Sequence, residues 1–487
     1  MLIGGAGIDS YDGGTGSDTV NFIGSAGWDI DLAAGTATTL SGGTTETLTS
    51  IENVIGSDGN DTIRGTTTAN DLNGGGGDDL LIGGYGIDAH DGGAGSDTVR
   101  FSGNVGWTVD LGAGTASVGS IVESLTSIEN VIGSAGGDHI TGTSGANRLI
   151  GSSGDDMLIG GAGIDSYDGG TGSDTVSFIG AAGWMIDLDA GTATTLSGGT
   201  TETITAIENV IGSGGNDTIR GTAYSNSLDG GNGDDILIGG GGVDDFYGGA
   251  GFDTVDLSGS NSKWRVDLAN EEATLTTASG TNYSVDFTSI ENVIGPRNSV
   301  TLLGTTGNEE ASGGNFADVF YTRGGVDEFH GGLGDDTLSF SGYGEGLTIR
   351  SSSGYARLGD GTEVTNFTGM ENIFATSFDD DISGTAGANK ILGRSGADRI
   401  NGGSGDDDIQ GGLGRDLLTG GRGNDRIDGG SDTNDYAFFS GNQNQYNIST
   451  SADGVTTVEW IGPGSGDGTD TLTGIEFLGF DDGFFYL

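Results

Sequence analysis

Carboxylates stand nine residues apart along much of this sequence, and an evenly spaced row of them is first of all a way to hold cations. From Gly56 five nonapeptides run in phase, GSDGNDTIR, GTTTANDLN, GGGGDDLLI, GGYGIDAHD and GGAGSDTVR. Their sixth positions are Asp61, Asn70, Asp79, Asp88 and Asp97. The consensus is G-G-x-G-x-D-x-U-x, where U is a large apolar residue. It restarts at Gly133 with Asp138, Asn147, Asp156, Asp165 and Asp174, and at Gly212 with Asp217, Asn226, Asp235, Asp244 and Asp253. A degenerate array from Gly295 supplies Asp318, Asp327 and Asp336, and a longer one supplies Asp380, Asn389, Asp398, Asp407, Asp416 and Asp425. A truncated array opening at Gly4 supplies Asp9 and Asp18. Donors of this type suit calcium, a hard ion that takes about six to eight oxygen ligands from carboxylates and carbonyls. All these position-6 residues are candidate ligands, and several calcium ions are the expected cofactor.

Other chemistries find little support. His90, His139 and His330 occupy different positions of different nonapeptides and form no ligand cluster in sequence. There is no H-E-x-x-H zinc motif, G-x-S-x-G elbow, phosphate-binding loop or cysteine. An Ile-Glu-Asn triplet recurs with Glu52, Glu129, Glu208 and Glu291, and as Met-Glu-Asn with Glu371. A position that repeats reads as structural, because an active site is usually single. The sequence predicts no enzyme, no catalytic residue and no organic cofactor.

The elements that must carry these carboxylates follow from the same spacing. Glycine at positions 1, 2 and 4 suits a tight turn with positive φ and close backbone approach. Positions 7 to 9 form a short strand whose pleat sends position 8 to one face. That position holds Tyr11, Val20, Ile63, Leu72, Leu81 and Val99, so one face is apolar throughout. Two nonapeptides make one coil, and units two apart stack on the same edge. The expected fold is all-β, a right-handed parallel β-roll or β-helix solenoid, interrupted by β-hairpin spacers. Stacking brings together Asp61, Asp79 and Asp97, and likewise 138/156/174, 217/235/253 and 398/416. Two like charges roughly 4 Å apart repel by about 4 kcal/mol at an effective dielectric near 20. A cation between turns reverses that sign. One buried apolar side chain per nine glycine-rich residues falls short of the entropy of ordering them. Metal binding must therefore be part of the folding free energy.

Repeats also set the boundaries. Residues 1–23 return almost unchanged at 157–179, and related copies begin at Leu80 and Ile236, giving a long repeat of 77 to 79 residues. Arrays are expected at 1–21 (partial), 56–100, 133–177, 212–256, 295–339 (degenerate) and 375–437. Spacers of alternating β pattern are expected at 22–55, 101–132, 178–211, 257–294 and 340–374, with a C-terminal β cap at 438–487. Leu80 and Ile82 would face outward, and the adjoining spacer is expected to fold over them. Trp28, Trp107, Trp184 and Trp264 recur at one spacer position and are expected in the core of that covering layer. The outward alternative is a hydrophobic patch for a partner.

Composition narrows the partners. The 487 residues include 104 glycines and 2 prolines, with 71 acidic against 16 basic residues and a net charge of −55. Such a chain is repelled by nucleic acid and anionic lipid, so neither is an expected partner. No apolar run is long enough to span a bilayer. The opening Met-Leu-Ile-Gly-Gly lacks a basic region and apolar stretch, so export through a cleaved N-terminal signal is not expected.

These nonapeptides resemble those of the RTX (repeats-in-toxin, haemolysin-type calcium-binding) proteins, and the resemblance covers almost the whole chain. It implies a β-roll with calcium between successive turns. It implies secretion from a Gram-negative bacterium by a type I machinery that reads an uncleaved C-terminal signal. The tail GTDTLTGIEFLGFDDGFFYL (468–487) resembles such ends. The resemblance further implies an extracellular or cell-surface location and folding by external calcium after export. Departures are Asn70, Asn147, Asn226 and Asn389, whose amides should ligate more weakly, and the stretch 295–312, where Glu309 holds position 6 and no site is expected. Met1 aligns with Met157, which lies inside the nonapeptide GSSGDDMLI, so further residues are expected upstream. Two roles stay open: a non-catalytic surface, adhesive or matrix protein, with a surface or matrix glycan as its further partner, or the calcium-binding and export part of a larger protease, lipase or alginate epimerase.

Overall fold

A computed structural model describes residues 1–5, 7–464 and 466–487 in two compact units, Met1–Asp244 and Asp245–Leu487. Among the described residues there is no α-helix, and two short 3₁₀ turns, Ser351–Ser353 and Gln443–Gln445, lie in the second unit. Each unit is a β-roll of short strands in two sheets.

In the first unit Thr62–Arg64, Leu80–Ile82 and Thr98–Arg100 stack in parallel, with Ile63, Leu81 and Val99 in register. The opposite sheet pairs Asp71–Gly76 with Ala89–Ala94, Leu72 against His90. Partners are 18 residues apart, so each coil is two nonapeptides. Position 8 is fully buried at Ile63, Leu72, Leu81 and Val99, while positions 7 and 9 stay partly exposed. The period-2 pleat thus builds a core one side chain deep between two sheets.

The spacers enter the roll edge-on. In 22–55, Trp28–Asp31, Thr36–Thr39 and Thr45–Thr49 form an antiparallel meander. Its outer strands pair in parallel with the roll, Thr45–Thr49 on Ser10–Asp12 and Trp28–Asp31 on Thr62–Arg64. The spacer therefore adds strands to a sheet, and the expected covering layer is absent. Leu80 and Ile82 stay half-exposed, Leu80 in a row with Thr62 and Thr98. Three of the four tryptophans enter the core: Trp107, Trp184 and Trp264 are buried, with rings 4.5 Å from Phe101 for Trp107 and 4.8 Å from Phe178 for Trp184, while Trp28 is half-buried.

The second meander, Thr108–Asp110, Thr115–Val118 and Ile121–Thr126, enters the other sheet, between Ala89–Ala94 and His139–Thr141. The third, Trp184–Asp187, Thr192–Thr195 and Thr201–Thr205, returns to the first. Each full array holds an odd number of nonapeptides, so it ends half a coil out of phase and presents the next spacer to the opposite face. The second unit repeats the plan, with meanders at Lys263–Thr288, Leu347–Thr368 and Tyr446–Thr473. Its end is closed by Phe477–Phe480, which pairs with Tyr436–Phe438 and turns back as the hairpin strand Gly483–Tyr486.

Candidate metal centre

Along each edge the position-6 carboxylates form a ladder. The backbone N–H of Asp61 donates to Asp79 Oδ1 at 2.6 Å, and that of Asp79 to Asp97 Oδ1 at 2.8 Å. The pattern recurs from Asp138 to Asp156 to Asp174 and from Asp380 to Asp398 to Asp416. On the other edge Asn70 donates to Asp88, Asn147 to Asp165, and Asn389 to Asp407, which donates to Asp425. One oxygen of each acceptor is thus held by the coil before it.

The second oxygen divides the candidates into two groups. Oδ2 of Asp79, Asp88, Asp97, Asp156, Asp165, Asp174, Asp336, Asp398, Asp407, Asp416 and Asp425 is buried without a hydrogen-bond partner, as is that of the half-buried Asp18. Orphaned buried oxygens are costly and call for a counter-charge. Asp61 differs, because both its oxygens are occupied: Oδ1 by Trp28 N–H at 2.6 Å and Oδ2 by Ser57 N–H at 2.6 Å. Asp138, Asp217 and Asp380 are held in the same way by Trp107 and Ser134, Trp184 and Ser213, and Leu347 and Thr376. Asp318 is held by Val300 and Gly314, and Asp327 by Glu309 and the Thr322 hydroxyl.

The asparagines are satisfied too. Asn70 Oδ1 accepts Thr66 N–H at 2.6 Å, and its amide nitrogen donates to Glu52 O at 2.7 Å. Asn147, Asn226 and Asn389 repeat both bonds. Both ends of each amide are thus engaged by protein in these turns. Of the remaining candidates, Asp9 is half-buried and accepts Gly5 N–H, and Asp235 accepts Asp217 N–H. Asp244 accepts Asn226 N–H, and Asp253 is buried.

Glycine has two separate jobs in these turns. Position 2 and position 4 take positive φ, +99° at Gly75 and +100° at Gly77. Position 1 does not; instead a Cβ on Gly74 would sit 2.2 Å from Asp79 Oδ2 and 2.6 Å from Gly92 O. Gly402 is under the same constraint, 2.3 Å from Asp407 Oδ2 and 2.7 Å from Gly420 O. Gly402→Ala is therefore expected to cost about 1–3 kcal/mol through overpacking, read as a lower thermal midpoint in saturating calcium.

Burial dominates the electrostatics. It pushes Asp79 up to about 7 against the lowering hydrogen bond from Asp61, with the Asp61, Asp97 and Asp78 charges adding to the rise. Asp156 and Asp407 are likewise raised to about 7, and Asp398 to about 8. A divalent cation supplies the positive charge these buried oxygens lack. All donors are hard oxygens, and adjacent coils offer two carboxylates each time, so the residues fit calcium. Asp79 with Asp97, Asp156 with Asp174, Asp398 with Asp416, and Asp407 with Asp425 would hold it.

Several groups on these edges escaped the nonapeptide count. The Ile-Glu-Asn glutamates continue the ladder into the spacers: Glu129 Oε2 accepts Asp97 N–H and Glu208 Oε2 accepts Asp174 N–H, each at 2.9 Å. Glu52, Glu291 and Glu371 do the same for Asp18, Asp253 and Asp336. Asp435 and Asp470 extend the two edges after Asp416 and Asp425. The recurrence of Ile-Glu, including Ile475-Glu476 near the C-terminus, was the available signal.

A parallel β-roll with stacked oxygen-rich turns is a calcium-binding repeat architecture. The family model for the RTX calcium-binding nonapeptide repeat matches residues 55–99, 132–176, 211–261, 303–338 and 374–436. The chain carries RTX repeats and binds calcium at multiple positions along them. Proteins with these repeats are typically secreted. No curated protein matches the chain. Among the described residues no helix is long and apolar enough to cross a membrane.

Proposed function

We propose that calcium is the folding switch of a secreted, non-catalytic β-roll that works as a surface, adhesive or matrix component. The observation that carries this reading is the ladder of buried carboxylate oxygens without partners. Without cations, adjacent coils set like charges against one another in a core one side chain deep. The chain stays unfolded where calcium is scarce, which suits passage through a type I secretion machinery, and folds where calcium is abundant. The strongest sites are the stacked pairs Asp79 with Asp97, Asp156 with Asp174, Asp398 with Asp416 and Asp407 with Asp425; the asparagine turns and 295–312 hold none.

Circular dichroism of the full chain tests the switch: a disordered spectrum in chelator, a β spectrum after calcium is added. The same β spectrum in both would overturn it. Retention of the labelled, calcium-folded chain on producing cells or their matrix tests the role. If retention is absent and an upstream catalytic domain is encoded, the chain is the export and folding part of a larger enzyme instead.

A further inference from the structure

One coil of the first unit departs from its copies in a way that calcium does not explain. In the first and third long repeats, position 8 of one nonapeptide is Tyr11 or Tyr167, set beside Glu46 or Glu202. Tyr167 Oη donates to Glu202 Oε2 at 3.0 Å and fills the space beneath Gly160, where a Cβ would lie 2.2 Å from it. In the second repeat that residue is His90, and its partner is Glu123.

His90 Nε2 lies 3.1 Å from Glu123 Oε2. One ligand atom each from Asp88, His90 and Glu123 falls within 4.8 Å of the others. All three residues are buried, exposed by only 2%, 2% and 4%. Asp88 Oδ2 and His90 Nδ1 have no hydrogen-bond partner. The orphaned oxygen and the imidazole edge face the same space: a Cβ on Gly83 would sit 2.4 Å from Asp88 Oδ2 and 2.9 Å from His90 Cε1. A groove of about 420 Å³ lined by Asn53, Asn70, Asp88, Val122 and Glu123 lies against two of the three residues.

We propose that Asp88, His90 and Glu123 bind a borderline divalent ion of the zinc class. Calcium selects oxygen donors, whereas an imidazole with two carboxylates suits zinc and leaves a further coordination position for water. The phenol of the flanking copies closes the acidic pair with a hydroxyl; the imidazole offers a lone pair instead. The chain thus carries one transition-metal position set among calcium turns.

The test uses the full chain folded in saturating calcium, stripped of transition metals and titrated with Co²⁺ as the spectroscopic probe, then with Zn²⁺. A single cobalt ion with visible absorption bands, displaced by zinc and not by more calcium, is expected. His90→Tyr, which installs the residue of the flanking copies, should weaken cobalt binding by more than about 100-fold, beyond the loss of an outer-shell partner. Its β spectrum and calcium content should match the parent. Glu123→Gln, which keeps the imidazole, should weaken binding as well. No cobalt uptake in calcium, displacement by calcium alone, or uptake that both variants leave unchanged would overturn the assignment.

Discussion

Acidification is expected to fold the calcium-free chain in place of calcium. The sign follows from the buried ladder. An unfolded aspartate titrates near about 3.9, whereas burial holds Asp79, Asp156 and Asp407 at about 7 and Asp398 at about 8. Between those values the folded chain binds more protons than the unfolded one, so its stability rises as pH falls. That contribution is complete below the unfolded value and disappears as pH rises through 7 to 8. Protonation also removes the charge that neighbouring coils repel. In calcium-free buffer, the β signal should grow on going from about pH 8 to about pH 5 and vanish on return. With calcium bound it should stay flat over that range, and calcium added to the acid-folded chain near about pH 5 should release protons. A calcium-free spectrum that does not change with pH would refute the expectation, since an exposed ladder would titrate as the unfolded chain does.

The second large effect separates two residues one turn apart. Asp398 has an orphaned Oδ2 between the charges of Asp380 and Asp416. Asn389 is satisfied by Thr385 and Glu371. Asp398→Asn removes a charge and brings an N–H₂ donor where a cation would sit. It should raise the calcium midpoint by about tenfold, or ~1.4 kcal/mol, and lower the number of ions held. Asn389→Ala should leave the ion count unchanged in saturating calcium. It should still cost about 1–3 kcal/mol, because the Glu371 carbonyl and Thr385 N–H lose their partner. Equilibrium dialysis with metal analysis gives the count, and urea unfolding in calcium gives the stability. Equal loss of ions in both variants would mean the amide is a ligand after all.

The nine-residue phase made the roll, its core and its calcium legible, because each follows from local periodicity. Which carboxylates are free for metal was not legible. Asp61 and Asp79 look alike in sequence, but Asp61 stands where a spacer meets the array, and Trp28 and Ser57 take its oxygens. Residue type at position 2 does not settle it either. Ser152 adopts φ +85° and leaves Asp156 Oδ2 orphaned, whereas Ser57 closes on Asp61. The decision lies in what the preceding coil presents, a contact between residues about thirty apart in sequence. The glutamates were missed for another reason. Each keeps the nine-residue phase, as Glu129 does before Asp138, but its unit lacks glycine at positions 1 and 2 and has Glu for Asp, so it does not read as a turn although Glu129 accepts the Asp97 N–H.

The half-coil offset of each array also says how such a chain can lengthen. Copying one long repeat would turn every downstream meander to the opposite sheet while leaving its neighbours the same. Copying two restores the original face. Residues 1–23 recur almost letter for letter at 157–179, two long repeats on, while the intervening copy at Leu80 has drifted further. The two copies that present their meanders to the same face thus share more sequence with each other than either does with the copy between them.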